Sequence, residues 1–227
     1  MQFNRIKKIA HIVRMFFTKK QGILVYVGAH SGNNLSSIFR KYEKCYAFEA
    51  NPELYTLLKI KFNKYPRVCI FNFAVADYDG EIDFNISNNG GASSSIGNFS
   101  KDYNASIKMV KTIKVKCIIL CSFLQKHKVD FIEDYISDIQ GYDLEVLKTL
   151  KPYINEKKIK NITCEVGKSK DRQVYSDLPE NNKNAFDLFL NDNYEFVAQG
   201  WGILTDGKFH QVPETWWDMD CKWKIKG

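Results

Sequence analysis

The chain has 227 residues, 44% hydrophobic and 26% charged, and its 33 basic against 26 acidic side chains leave a formal charge of +7. That length suits one domain with a sizeable core, and the composition is that of an ordinary globular protein. No stretch approaches the ~18 apolar residues of a membrane span. The opening "MQFNRIKKIAHIVRMFF" lacks the apolar core and cleavage site of a secretory leader. The positive charge favours acidic partners such as nucleic acid, anionic glycan or lipid head groups without naming one, and lysine as solvated surface is the simpler explanation.

In chain order, Ile6, Ile9, Ala10, Val13, Phe16 and Phe17 recur at helical spacing among Arg5, Lys7, Lys8, Arg14 and Lys19, so residues 1–20 read as a basic amphipathic helix. Such a helix can touch a membrane surface weakly; covering the first strand of a domain is the commoner use and the favoured reading. Ile23–Gly28 is a strand, followed by a helix from Asn33 to Tyr42. Cys45–Glu49 is the second strand, and Pro52 opens a helix that runs to Asn63. Val68–Val75 reads as one strand, "DYDG" as a turn, and Glu81–Ile86 as an alternating edge strand. A Gly/Ser/Asn-rich segment over 87–112 reads as a loop, with Ser87–Ser106 a mobile lid. Ile113–Ile119 returns as a strand able to pair with Glu81–Ile86. Ser122–His127 is a short helix, Tyr135–Ile139 a strand, and Gly141–Leu150 a helix stopped by Pro152. Ile159–Val166, Tyr194–Ala198 and Trp217–Ile225 are strands, with a helix over Asn182–Asn191 and a Trp-rich segment over 200–227.

Strands alternating with helices imply a single α/β domain, a mostly parallel sheet with helices on both faces. Four of the six cysteines, Cys45, Cys69, Cys117 and Cys164, fall inside apolar strands as small core residues, and Cys117 and Cys121 have no second pair at zinc-site spacing. Reduced thiols and a cytoplasmic location follow as expectations.

Ligands in such sheets bind beyond the carboxyl ends of the strands. The polar residues there are Gly28–His30, Glu49–Asn51, Ala76–Asp77, Asp138–Gln140 and Glu165. The corner "VGAHSGNN" lacks the Lys-Ser or Lys-Thr of a P-loop, and its Gly28-x-x-x-Gly32 spacing is not the G-x-G-x-x-G of a dinucleotide fold. S-adenosylmethionine (SAM) asks for less: a bare backbone turn against its methionyl part and a carboxylate on the next strand. Glu49 follows Gly28 at the offset from which an acid reaches a ribose diol, and a carboxylate can accept both hydroxyl protons.

Five stretches, "VGAHSG", "CYAFEANP", "FNFAVADYDGEIDF", "GASSS" and "SDIQGYDLEVLKTL", stand in the order and spacing of the FkbM-type SAM-dependent methyltransferases. The resemblance covers Leu24 to Gln199. It implies the Rossmann-like, seven-stranded class I methyltransferase sheet and O-methylation of sugar or natural-product hydroxyls. By position it implies that Gly28, His30 and Gly32 line the methionyl end, Glu49 holds the ribose, Asn51, Ala76 and Asp77 border the adenine, and Asp138 closes the fourth strand. The sequence departs from the family pattern at Tyr26, where Asp is usual, at His30, where Asn is usual, and at Gln140, where the second acid of "D-V-E-G" stands.

Methyl transfer to a hydroxyl needs alignment of the acceptor oxygen and a group to take its proton. Asp138, Glu165 and His210 are the candidates, and Asp138 with Glu165 could hold Mg²⁺ through oxygen ligands. The reading is a SAM-dependent O-methyltransferase acting on a sugar or glycan. The alternatives are a nucleic-acid methyltransferase, for which the chain shows no RNA-binding module, and a SAM-binding but inactive partner protein.

Overall fold

The computed structural model describes residues 20–104, 106–201 and 210–227, so the expected amphipathic helix over residues 1–19 lies outside the described residues. The strands are β1 (Gln21–Val27), β2 (Tyr42–Phe48), β3 (Val68–Phe71), β4 (Ala74–Ala76), β5 (Gly80–Ser87), β6 (Met109–Ile119), β7 (Ile132–Ser137), β8 (Ile159–Gly167), β9 (Tyr194–Gly200) and β10 (Asp218–Ile225). The helices are α1 (Asn33–Ile38), α2 (Pro52–Phe62), α3 (Leu120–Lys126), α4 (Asp143–Thr149), α5 (Lys151–Asn155) and α6 (Lys183–Leu190). Seven strands form one sheet in the order β3-β2-β1-β7-β8-β10-β9, and three form a second in the order β4-β6-β5. In the large sheet only β10 runs against its neighbours. This is the mostly parallel sheet that the alternating sequence implies, with the seven strands that the family resemblance implies.

Period-two alternation sends side chains to both faces. Val25 and Val27 meet Leu120, Leu124, Leu144, Leu147 and Phe186 on one side. Leu24 and Tyr26 meet Leu35, Phe39, Leu58 and Phe62 on the other. Each large apolar side chain buried this way contributes roughly 1.5–3 kcal/mol. Asn51 starts α2 by accepting the Glu53 N–H, with Pro52 in the first turn. Asn182 starts α6 in the same way through the Ala185 N–H.

Three expectations need correction. Helical pattern does not carry to Tyr42: α1 ends at Ile38, a 3₁₀ turn covers Phe39–Lys41, and β2 begins at Tyr42. Val68–Val75 is not one strand. The chain leaves the large sheet at Phe71, where Asn72 turns its side-chain amide onto the Glu49 and Ala50 carbonyls, and re-enters as β4 of the second sheet. Pro152 does not stop a helix so much as start one, because it sits in the first turn of α5. Within the Gly/Ser-rich segment, Ser93, Ser94 and Ser95 form a packed wall: they are buried, and Ser87, Asn89 and Ser93 bond to one another.

Gly28 is the tightest backbone junction. Its φ is 80°, and a Cβ there would lie 1.9 Å from the Asp138 carbonyl oxygen. Gly28→Ala is therefore expected to lose at least about 2 kcal/mol in urea unfolding, combining left-handed strain with a backbone clash. A loss of only a few tenths would show that the β1 and β7 corners separate freely.

Candidate active site

The strand order reverses at β1, which lies between β2 and β7. At such a switch point the loops leaving neighbouring strands diverge and open a crevice at the carboxyl edge. A cavity of about 250 Å³ lies there. Gly28 after β1, Glu49 after β2 and Asp138 after β7 all face it, together with Ala29 and His30.

Glu49 is only 6% exposed, yet both its oxygens are engaged. Oε2 accepts the His30 backbone N–H at 2.7 Å and Oε1 accepts the Asn51 N–H at 2.8 Å. Burial raises its carboxyl, and these two backbone bonds pull the other way. Each oxygen keeps a second lone pair for a ligand hydroxyl. His30 itself is left-handed at φ 48°, and its Nε2 lies 3.1 Å from the Gly90 carbonyl, tying the glycine corner to the serine-rich wall. Tyr26 also faces the cavity beside Asn34, and burial holds its phenol far above its usual range, so it stays neutral.

The apolar part of the lining comes from Phe73, Val75, Phe84 and Ile96. A flat aromatic ring system fits such walls, whereas the glycine corner and Glu49 suit polar groups; the residues present thus fit SAM. Several expected contacts are differently placed. Gly32 does not line the cavity: its φ is 70°, and a Cβ would lie 2.5 Å from Leu58 and 2.9 Å from Phe62, so it serves the packing of α1 on α2. Asn51 caps α2 and supports Glu49. Ala76 is buried against Phe84 and Cys117, and exposed Asp77 accepts from Tyr142 Oη, because the split strand brings Ala74 and Val75 to the wall instead. Sequence reasoning also missed Tyr175 and the depth of the serine-rich wall; "GASSS" was its one visible signal.

At the second acidic corner, Gln140 Nε2 donates to Asp138 Oδ1 at 2.8 Å and to Glu165 Oε2 at 2.6 Å. Burial raises Asp138, while its bonds with Gln140 and Glu165 favour the ionised form. Glu165 is pushed much higher, by burial first and by the Asp138 charge second. Asp138 faces the cavity, and the two carboxyls titrate as one linked pair, both raised by burial and Glu165 the further of the two. Asp138 and Glu165 were expected to hold Mg²⁺. Among the described residues no group of three or more His, Cys, Asp or Glu side chains is placed to do so. His210 does not line the cavity; it pairs with Trp201 in an isolated bridge, and the two rings lie 4.9 Å apart.

A Methyltransferase FkbM domain matches residues 27–196. With the sheet order and the switch-point cavity, this settles the class: the chain belongs to the FkbM methyltransferase family, a family of SAM-dependent enzymes. An FkbM methyltransferase from Methylobacillus flagellatus KT superposes with a TM-score of 0.52 at 12% identity, over 91% of this chain and 44% of that one. The chain therefore spans less than half that protein's length. Fibrillarin from Aeropyrum pernix, with natively bound SAM, gives 0.49 at 11% identity over 90% of this chain and 67% of its own. A putative methyltransferase from Streptococcus mutans, in complex with S-adenosylhomocysteine, gives 0.49 at 9% identity over 96% and 97%. At such identities the likeness is one of fold. No curated protein matches the sequence.

Asp143 underpins the corner. It is fully buried, its Oδ1 accepts Ser137 Oγ at 2.5 Å and the Ile139 N–H at 3.2 Å, and its Oδ2 has no hydrogen-bond partner. Burial, then the Asp138 charge, raise its carboxyl to about 7, against the Ser137 bond. The folded state therefore holds a proton that the unfolded chain has released, from the usual Asp value of 3.8 up to about 7. Stability falls as pH rises through that window, at up to about 1.4 kcal/mol per unit, and levels off above it. Asp143→Asn keeps the size and stays neutral. Its melting temperature is expected to exceed that of the wild type at pH 8, with the gap shrinking as pH falls below 7 and closing only near pH 4. A difference that does not change with pH would contradict the buried titration.

Proposed function

We propose that the chain transfers the methyl group of SAM to a hydroxyl of a sugar or glycan, with Asp138 as the general base. The observation that carries this reading is geometric: Asp138 faces the cavity at the carboxyl edge of the sheet, and the Gln140 amide donates to it at 2.8 Å and to Glu165 at 2.6 Å. A neutral hydroxyl can give its proton to a carboxylate so placed. SAM, when bound, supplies an electrophilic methyl group on a sulfonium centre. Glu49 then accepts the ribose hydroxyls, and the Gly28–His30 backbone abuts the methionyl part. The apolar walls take the adenine. The Gln140 amide donates to both Asp138 and Glu165 and so steadies the base in a half-buried corner. The six free cysteines agree with a reducing, cytoplasmic setting. Among the described residues no helix is long and apolar enough to cross a membrane.

The ribose role has a test that needs no acceptor. Wild-type protein should bind S-adenosylhomocysteine at least about tenfold more tightly than its 2′-deoxy analogue, since bonds to a charged group contribute about 1.5–3 kcal/mol. Folded Glu49→Ala should lose that discrimination. Equal discrimination in both proteins, measured by calorimetry, would remove Glu49 from the ribose.

For the chemistry, the assay is S-adenosylhomocysteine release with a panel of sugars and glycan extracts. Asp138→Asn should lower turnover by about 10² or more, the usual scale for a lost general base, with little change in cofactor affinity. Affinity falling in step with rate would make Asp138 a cofactor ligand, and full activity would move the catalytic centre elsewhere.

A further inference from the structure

We infer that Gln140 is a positioning residue whose side-chain amide takes the place of a divalent cation between Asp138 and Glu165. One nitrogen reaches an oxygen of each carboxyl, at 2.8 and 2.6 Å. A cation bridging two carboxylates would occupy the same point at somewhat shorter distances, about 2.0–2.6 Å depending on the ion. The amide does with two N–H donors what the ion would do with charge.

The amide is held in this orientation from every side. Its Oε1 accepts Tyr175 Oη at 2.9 Å. Flipping it would set a carbonyl oxygen against two carboxyl oxygens. Its own backbone is left-handed, at φ 60°, and its carbonyl accepts Ser95 Oγ at 2.7 Å. Gly141, which follows at φ 100°, lets the Tyr175 ring close on the backbone: a Cβ there would lie 2.6 Å from that ring. The charged groups facing the pair are mostly acidic, Asp143, Asp218 and Asp220, with His30 opposite Asp138 and Lys168 opposite Asp218. A donor fork in their midst is therefore required to keep the two carboxyls together, and Gln140 supplies it. No divalent ion is then needed to hold the pair. The catalytic consequence rests on the function proposed above, but ion binding reads the inference directly.

The test is calorimetric titration of the full chain with MnCl₂. Wild-type protein should show no saturable binding. Gln140→Glu removes the donors and adds a third carboxylate, so it should bind Mn²⁺ at least about tenfold more tightly than the wild type, and adding Glu165→Gln should abolish the gain. The inference is overturned if Gln140→Glu binds no better than the wild type. It is equally overturned if the wild type binds Mn²⁺ in a way that Glu165→Gln removes. Should Gln140→Glu fail to fold with or without Mn²⁺, Gln140→Met decides. Methionine keeps the length and loses both donors, so the highest carboxyl midpoint in a ¹³C NMR titration of Asp/Glu-labelled protein should rise by about one unit or more. An unshifted midpoint in folded Gln140→Met protein would show that the amide only fills space.

Discussion

A carboxylate buried at the end of a central strand must be satisfied or neutralised, and Glu49 is satisfied by backbone alone. The His30 N–H comes from the turn after β1 and the Asn51 N–H from the turn after β2. Those two bonds fix both turns relative to each other. Gly28 and Ala29 add to the lock by donating to the Phe48 carbonyl, and Asn72 closes it from the third strand. The left-handed backbone at His30, unusual for a residue with a side chain, is the conformational cost of bringing its N–H onto Glu49. The shape of the cavity mouth thus follows from one acid and the donors it recruits.

The second corner is built on the same logic with side chains. Asp138 sits against the Gly28 backbone, which has no Cβ to keep it away, so the proposed base and the glycine turn share one wall. Gln140 passes that position outward, to Glu165 through its nitrogen and to Tyr175 through its oxygen. Tyr175 Oη also reaches the Ser93 carbonyl at 3.1 Å, and Ser95 reaches the Gln140 carbonyl. The serine-rich wall is therefore joined to the acidic corner and, through His30 and Gly90, to the glycine corner. The cavity is thus bordered by a single hydrogen-bonded frame.

The sequence made the sheet legible because parallel strands buried on both faces read as short apolar runs, and because Gly28, Pro52 and the "DYDG" turn punctuate them. It misled at Val68–Val75, since the break at Asn72 depends on an amide reaching carbonyls 22 and 23 positions earlier, which no local pattern encodes. Glu49 and Asp138 were visible as acids closing strands. Gly32, Asn51, Ala76 and Asp77 were placed at the right corner but turn out to pack, cap or point away, because a motif gives the neighbourhood of a residue and not its direction. The role of the serines was hidden for a similar reason: polar composition reads as loop unless the partners are known, and Ser95 finds its partner 45 residues away.

Formal charge also changes meaning once the fold is known. The value of +7 counts every acid as ionised. Burial and the neighbouring Asp138 push Glu165 well above the usual carboxylate range, and burial with the same neighbour raises the Asp143 carboxyl to about 7. The folded chain is therefore more positive than its composition states, and its corner less negative than its cluster of acids implies. A net positive charge suits the proposed acceptor if that acceptor is anionic, because long-range attraction then draws it toward the body.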